Sequence, residues 1–169
     1  MADRIHVFTY KEGLLSRVAH DLRLHVEPRG IHVQRSGDEV SAELDARELA
    51  VDGVMRGSQL DGGALDGRDR GKILDTIRRE ILDTQRFAKI RFTGKAVARG
   101  DRELAVDGEL ELVGAWRPLS FVATREGRRI RARVTLRPSL WGIQPYKALA
   151  GAIRLQDRVT VELDLDDPE

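Results

Sequence analysis

The sequence predicts an all-β fold, an antiparallel barrel of about eight strands with one amphipathic α-helix. Apolar and charged residues alternate with a period of two in five separate stretches, one later stretch switches to a helical period, and a sheet of this size removes its exposed edges by closing. The alternating rows are Val18, His20, Leu22, Leu24 and Val26; Val40, Ala42 and Leu44; Leu104, Val106, Leu110 and Leu112; Ile130, Ala132, Val134 and Leu136; and Val159, Val161, Leu163 and Leu165. Strand side chains point alternately to opposite faces, so each row gives its strand one apolar face and one wet face. Segments around Ile90 and Phe92, around Leu119 and Phe121, and from Ile5 to Tyr10 bring the count to about eight, where a closed barrel has room for side chains or for one small ligand. A two-sheet sandwich gives the same alternation, and closure favours the barrel.

Between Val51 and Gly71 the strand pattern breaks. Six glycines, Gly53, Gly57, Gly62, Gly63, Gly67 and Gly71, with no proline among them, predict a mobile loop with some turn structure, where a lid over a barrel mouth could sit. From Lys72 onward Ile73, Leu74, Ile77, Ile81 and Leu82 recur at helical spacing, with Arg78, Arg79, Glu80 and Asp83 on the other face. This predicts a helix of about three turns that packs its apolar stripe across an end of the barrel.

Composition sets outer limits. A chain of 169 residues with 41% hydrophobic content fits one domain, residues 1–169. With 29 Lys and Arg against 28 Asp and Glu, the net charge of +1 argues against a dedicated nucleic-acid or polyanion binder. The absence of cysteine excludes disulfides and thiolate chemistry. The opening MADRIHVFTYKEG contains no apolar core of signal-peptide length, and no run is long enough to span a bilayer as a helix, so the expected protein is cytoplasmic and not integral to a membrane. A homodimer is compatible with the sequence.

Arg129, Arg131, Arg133 and Arg137 share one strand face and taken alone resemble a phosphate-binding stripe. Glu162, Asp164 and Asp166 occupy the outer face of the last predicted strand, so pairing of the two strands would neutralise the stripe, at roughly 0.2–1 kcal/mol for each opposite-charge pair. Glu103, Asp107, Glu109 and Glu111 dilute any remaining basic surface.

Histidines His6, His20, His25 and His32 raise the question of a metal. On an unbroken strand His20 lies with Leu22 and Leu24 while His25 points the other way, and no HExxH helix or tight carboxylate–imidazole cluster occurs, so no metal site is expected. His20 in an apolar row needs a hydrogen-bond partner, on a ligand or on a neighbouring backbone group or carboxylate. No serine sits in a strand-to-helix glycine elbow, and no Gly-Lys-Ser or Gly-Lys-Thr follows the glycine-rich stretch. No catalytic residue and no cofactor are expected.

Taken in order, VAHDLRLHV from Val18, LDGGALDG from Leu60, FAKIRFTG from Phe87, LELVGAWRPLSF from Leu110 and RPSLWGI from Arg137 resemble the YceI-like proteins, also described as polyisoprenoid-binding or lipid-binding barrel proteins. Ala88 stands where many of those proteins carry proline. The resemblance implies an extended lipocalin-like antiparallel barrel with a helix, enclosing a long apolar ligand such as a prenyl chain or fatty amide. With aromatics at only 5%, such a cavity would have mainly aliphatic walls.

The expected function is therefore sequestration or transport of a long-chain amphiphile, an isoprenoid or fatty-acid derivative, with its tail along the barrel and its head near the mouth. The expected ligand-binding residues are the inward rows Leu22, Leu24, Leu44, Ile90, Phe92, Leu110, Leu112, Phe121, Val134 and Leu136, with His20 and Trp141 supplying polar or ring contacts. Two alternatives stay open: a structural or interaction barrel filled by its own side chains, and an enzyme on a lipid-like substrate with His20 as general base.

Overall fold

The computed structural model describes residues 1–13 and 20–168. Its strands are β1 (Arg4–Lys11), β2 (Leu22–Val26), β3 (Ile31–Ser36), β4 (Glu39–Asp45), β5 (Leu49–Arg56), β6 (Gln59–Asp61), β7 (Lys89–Arg99), β8 (Glu103–Leu112), β9 (Ala115–Glu126), β10 (Arg129–Leu136), β11 (Lys147–Ala148) and β12 (Ile153–Asp166), with helix α1 (Gly67–Thr76) between β6 and β7. All pairings are antiparallel, in the order β3-β4-β7-β8-β9-β10-β12-β1-β2-β5-β6, with β11 attached to β12.

The fold is the expected antiparallel one with a single helix, and two details differ. The described residues form twelve strands, and among them the ladder does not close. Its two ends are brought together by side chains instead: Ile31 of β3 shares one core cluster with Leu24 and Val26 of β2 and Leu49 and Val51 of β5, and Val33 and Leu44 pack against it. The eight expected strands are all present. The additional strands are β3, β5, β6 and β11: β6 and β11 are too short to show a period of two, and Gly53 interrupts the pattern of β5.

Residues 51–71 are accordingly not a mobile loop. β5 and β6 form a hairpin in which Val54 faces Asp61 and Arg56 faces Gln59. Gly53 fits because the strands lie so close there that a Cβ would meet the carbonyl oxygen of Asp61 at 2.5 Å. The helix starts before Lys72, where the Asp66 side chain accepts a hydrogen bond from the Asp69 amide at 2.8 Å. Its last turn, Ile77–Ile81, widens to π spacing, with the Leu82 amide reaching the Ile77 carbonyl at 2.9 Å. Ile73, Leu74, Ile77 and Leu82 pack where the sheet ends meet. The Arg70 guanidinium donates to the carbonyls of Asp52, at 3.1 Å, and Gly62, and that of Arg78 donates to the Arg47 carbonyl at 2.9 Å and the Leu49 carbonyl at 3.3 Å, fixing the helix to β5 and its flanks.

The outer faces neutralise themselves. In the β10–β12 ladder Arg129 faces Asp166, Arg131 faces Asp164 and Arg133 faces Glu162. Arg129 reaches Asp164 at 2.8 Å, Arg131 reaches Glu126 at 2.7 Å, and Arg133 pairs with Glu162. The arginine row is half of a cross-strand charge ladder.

Two irregularities shape the interior. Gly94 and Gly108 face each other across β7 and β8, where the backbones approach closely and the Phe92 ring lies over Gly108. β9 and β10 pair only at Arg129, Ile130 and Arg131 and then diverge. Where they part, the turn Pro138–Trp141 packs on β9: Arg117 donates to the Leu140 carbonyl at 3.1 Å, and the buried Trp141 indole donates to the Leu110 carbonyl at 2.8 Å.

A Cβ at position 108 would lie 2.2 Å from the Thr93 carbonyl oxygen and 2.7 Å from Phe92 Cζ. The first of these is backbone that cannot rotate away, so Gly108→Ala should destabilise the protein by more than about 2 kcal/mol, seen as a fall of several degrees in Tm by circular dichroism. An unchanged Tm would refute the close approach.

Candidate ligand cavity

The inward rows do not meet in the middle. They enclose a cavity of about 350 Å³, walled almost wholly by aliphatic side chains with the rings of Phe92 and Phe121 among them, centroids 6.2 Å apart. Its longest wall is β12 and the residues beside it, which line it from Leu155 through Val159, Val161, Leu163 and Leu165 to Asp167. At roughly 3.3 Å per residue that is about 40 Å of strand, so the space is elongated along the chain direction. Ile77, Ile81 and Leu82, from the widened turn after α1, contribute to the wall.

Polar groups gather at the two extremes of β12. Beyond Leu165, Asp167 takes ion pairs from Arg35 at 3.3 Å and Arg125 at 2.7 Å, and Arg35 and Asp167 are both buried. At the other extreme the wall is completed by Gln144, Tyr146, Gln156 and Arg158. There Asp157 accepts from the Ser139 amide at 2.9 Å and from the Ser139 hydroxyl, and these bonds hold its carboxyl below the usual range. Arg158 stacks over the Tyr10 ring at 4.1 Å. The arrangement is an apolar channel with hydrogen-bonding chemistry confined to its ends, the distribution an amphiphile presents along its own length.

Nine of the residues expected from the sequence lie on this wall: Leu24, Leu44, Ile90, Phe92, Leu110, Leu112, Phe121, Val134 and Leu136. Three do not. Leu22 is buried in the core cluster beneath α1 and off the cavity wall. His20 is exposed and precedes β2, because the strand begins at Leu22, so the expected inward row does not extend back to it; Val18 lies outside the described residues. Trp141 is buried among Leu110, Leu136 and Ile143, with its donor committed to the Leu110 carbonyl, and braces the wall from behind. Val40, Ala42, Leu104, Val106 and the β12 row belong to the alternating pattern and could have been named from it. Tyr146, Gln156 and the helix-end residues reach the wall through tertiary folding and leave no periodic signal.

His6, His25 and the exposed His32 all lie off the cavity wall. His25 faces outward between Asp52, 2.6 Å from Nδ1, and Glu27, 3.1 Å from Nε2; Arg23 also binds Asp52, at 2.7 Å. Burial opposes protonation of His25, but the hydrogen bonds to Glu27 and Asp52 outweigh it and raise its pKa. Neighbouring His6 is shifted down by burial and by the Arg23 guanidinium. Among the described residues no helix is long and apolar enough to cross a membrane.

The model of the YceI-like domain matches residues 17–166. The chain belongs to the YceI-like family. No curated protein matches it in sequence. Among solved structures, this YceI-like chain is similar to Burkholderia cenocepacia BcnA, with TM-score 0.66 and 12% identity over 96% of this chain and 94% of that one. It is also similar to a polyisoprenoid binding domain from Saccharophagus degradans implicated in plant cell wall breakdown, with TM-score 0.55 and 11% identity over 96% and 91%. The Campylobacter jejuni YCEI protein follows, with TM-score 0.51 and 9% identity over 82% and 81%. At these identities the structural likeness carries the fold, and the residues of the cavity carry its chemistry.

The raised pKa of His25 sets a pH dependence. Its contribution to stability is fully present below the ordinary histidine value of about 6.5 and is lost as pH rises through the higher folded value. His25→Gln should therefore destabilise by about 1 kcal/mol or less in mild acid, and by less as pH rises through and beyond the folded value, in urea unfolding at matched ionic strength. A penalty independent of pH would refute the ion-pair account.

Proposed function

We propose that this YceI-like protein binds a single long-chain amphiphile, an isoprenoid or fatty-acid derivative, and sequesters or transports it with the tail along β12. The observation that carries the reading is an elongated apolar cavity of about 350 Å³ whose hydrogen-bonding groups are confined to its ends. Burying a tail yields roughly 0.8 kcal/mol per methylene, so ten or so carbons offset the cost of association and leave useful affinity. Membership in the YceI-like family and the likeness to a polyisoprenoid binding domain support the same reading. Binding is favoured over catalysis because the carboxylates on the wall are already engaged, Asp45 by Arg47 and Lys89, Asp157 by Ser139 and Arg137, Asp166 by Arg128 and Asp167 by Arg35 and Arg125, and because exposed His20 lies off the wall.

Organic extraction of the purified protein followed by mass spectrometry tests the proposal. One prenyl or acyl amphiphile per protein is expected, or, for protein that emerges empty, uptake of a fluorescent long-chain fatty acid with one-to-one stoichiometry. Neither a co-purified lipid nor uptake of the probe would leave the barrel as a scaffold alone.

A filling substitution gives the converse test. Ala42 lies on the wall and pairs with Phe92 across β4 and β7. Ala42→Phe should lower uptake of the probe about ten-fold or more while leaving the Tm unchanged or higher, because the added ring occupies existing space. Full uptake by this variant would move the ligand elsewhere.

A further inference from the structure

The geometry points to a membrane-contact surface at the Tyr146 end of the cavity, recognising the headgroups and outer acyl region of an anionic lipid bilayer. Two segments that pack on the start of β12 present apolar side chains to solvent there: Leu140 is 55% exposed and Leu149 67% exposed. Leu149 and the following Ala150 both adopt left-handed backbone conformations, φ 50° and 54°, although neither is glycine. Such a conformation costs about 1–2 kcal/mol per residue, and nothing buried within the chain is gained by holding Leu149 outward. Trp116, 38% exposed, lies next to Arg117, whose guanidinium holds the Leu140 carbonyl. Trp is the residue whose ring best suits a membrane–water boundary.

The charge around these groups is one-sided. From Arg137 to Arg158 the chain carries four cations and a single carboxylate, Asp157, which Ser139 and Arg137 already engage. Among the described residues no carboxylate lies within ion-pair distance of Arg117, Lys147, Arg154 or Arg158. Where β1 approaches Arg154, Lys11 is offset by Glu12 and by Asp21, whose carboxylate accepts from the Lys11 amide at 2.8 Å. In a chain of net charge +1, with the arginines of β10 matched by the carboxylates of β12, this end keeps an excess of cations around the exposed Leu140 and Leu149 side chains, while Trp116 at its margin lies across the β8–β9 ladder from Glu111. Cations around a few protruding apolar groups fit an interface of anionic headgroups over acyl chains, and the cations supply roughly 1 kcal/mol each near such a surface. The polar-ended cavity reaches the same place, so a guest that partitions into bilayers could pass without crossing water. The contact goes beyond the cavity reading and would stand even if the interior held no guest.

Co-sedimentation of the purified protein with vesicles at low ionic strength tests the surface, using phosphatidylcholine alone or mixed with phosphatidylglycerol. Pelleting with the mixed vesicles only, abolished by high salt, is expected. Leu140→Ser combined with Leu149→Ser should weaken binding roughly ten-fold or more, and Lys147→Glu roughly five-fold or more. Leu60→Ser, on the exposed edge strand β6, should leave it unchanged. All four positions are solvent-exposed, and Tm values confirm folding; should the double variant not fold, Lys147→Glu decides alone. No pelleting, equal pelleting with both vesicle types, or rim variants that bind like the parent or like Leu60→Ser would overturn the proposal. Fatty-acid probe uptake measured without vesicles separates the two readings, since it should survive Lys147→Glu.

Discussion

The structure depends on how an antiparallel sheet that never closes its hydrogen-bond ladder is nevertheless held in a ring. The ends of the sheet, β3 on one side and β5–β6 on the other, meet through Ile31, Leu24, Val26 and Leu49, with α1 laid over the junction. Apolar contact is tolerant of direction where hydrogen bonds are not, so this seam can join strands whose backbones are out of register. The same choice determines the interior. Side chains are consumed at the seam and under the helix, and the inward rows of β7, β8, β10 and β12 are left facing a space they do not fill.

A hollow interior lacks part of the dispersion energy of a close-packed core. Compensation comes from outside the wall. The β10–β12 face is laced by opposite charges in register, the Trp141 indole ties the turn after β10 to β8, and Arg70 and Arg78 pin the helix through backbone carbonyls. Each surface ion pair contributes less than about 1 kcal/mol, but the row acts as a network and also fixes strand register. The stabilising contacts therefore sit where they leave the cavity unobstructed.

How much of this could be read from residues follows from which signals are local. Alternation marks β4, β8, β10 and β12 because both faces of those strands are chemically distinct, and it assigned nine wall residues correctly to the inside. It failed at His20, where the row runs on in sequence although the strand starts only at Leu22; Trp141, expected as a ring contact from its place in the family-like turn, sits behind the wall because of a hydrogen bond to a carbonyl thirty-one residues away. β5 was hidden by Gly53, a residue that composition assigns to loops and that here permits close packing of two strands. The missing ladder contact between the sheet ends has no sequence counterpart, since periodicity describes one strand at a time.

The two glycines of the β7–β8 ladder connect these arguments. An inward row that alternates perfectly would place side chains at positions 94 and 108, and both lack one, so the backbones approach and the Phe92 ring turns across Gly108 toward Phe121. The two rings join the cluster around Leu110 and Leu136 to the one around Ala96 and Leu104, and they form the most bulky part of an otherwise aliphatic wall. The bulk of the wall at this pair therefore derives from where the sequence omits a side chain as much as from where it supplies one.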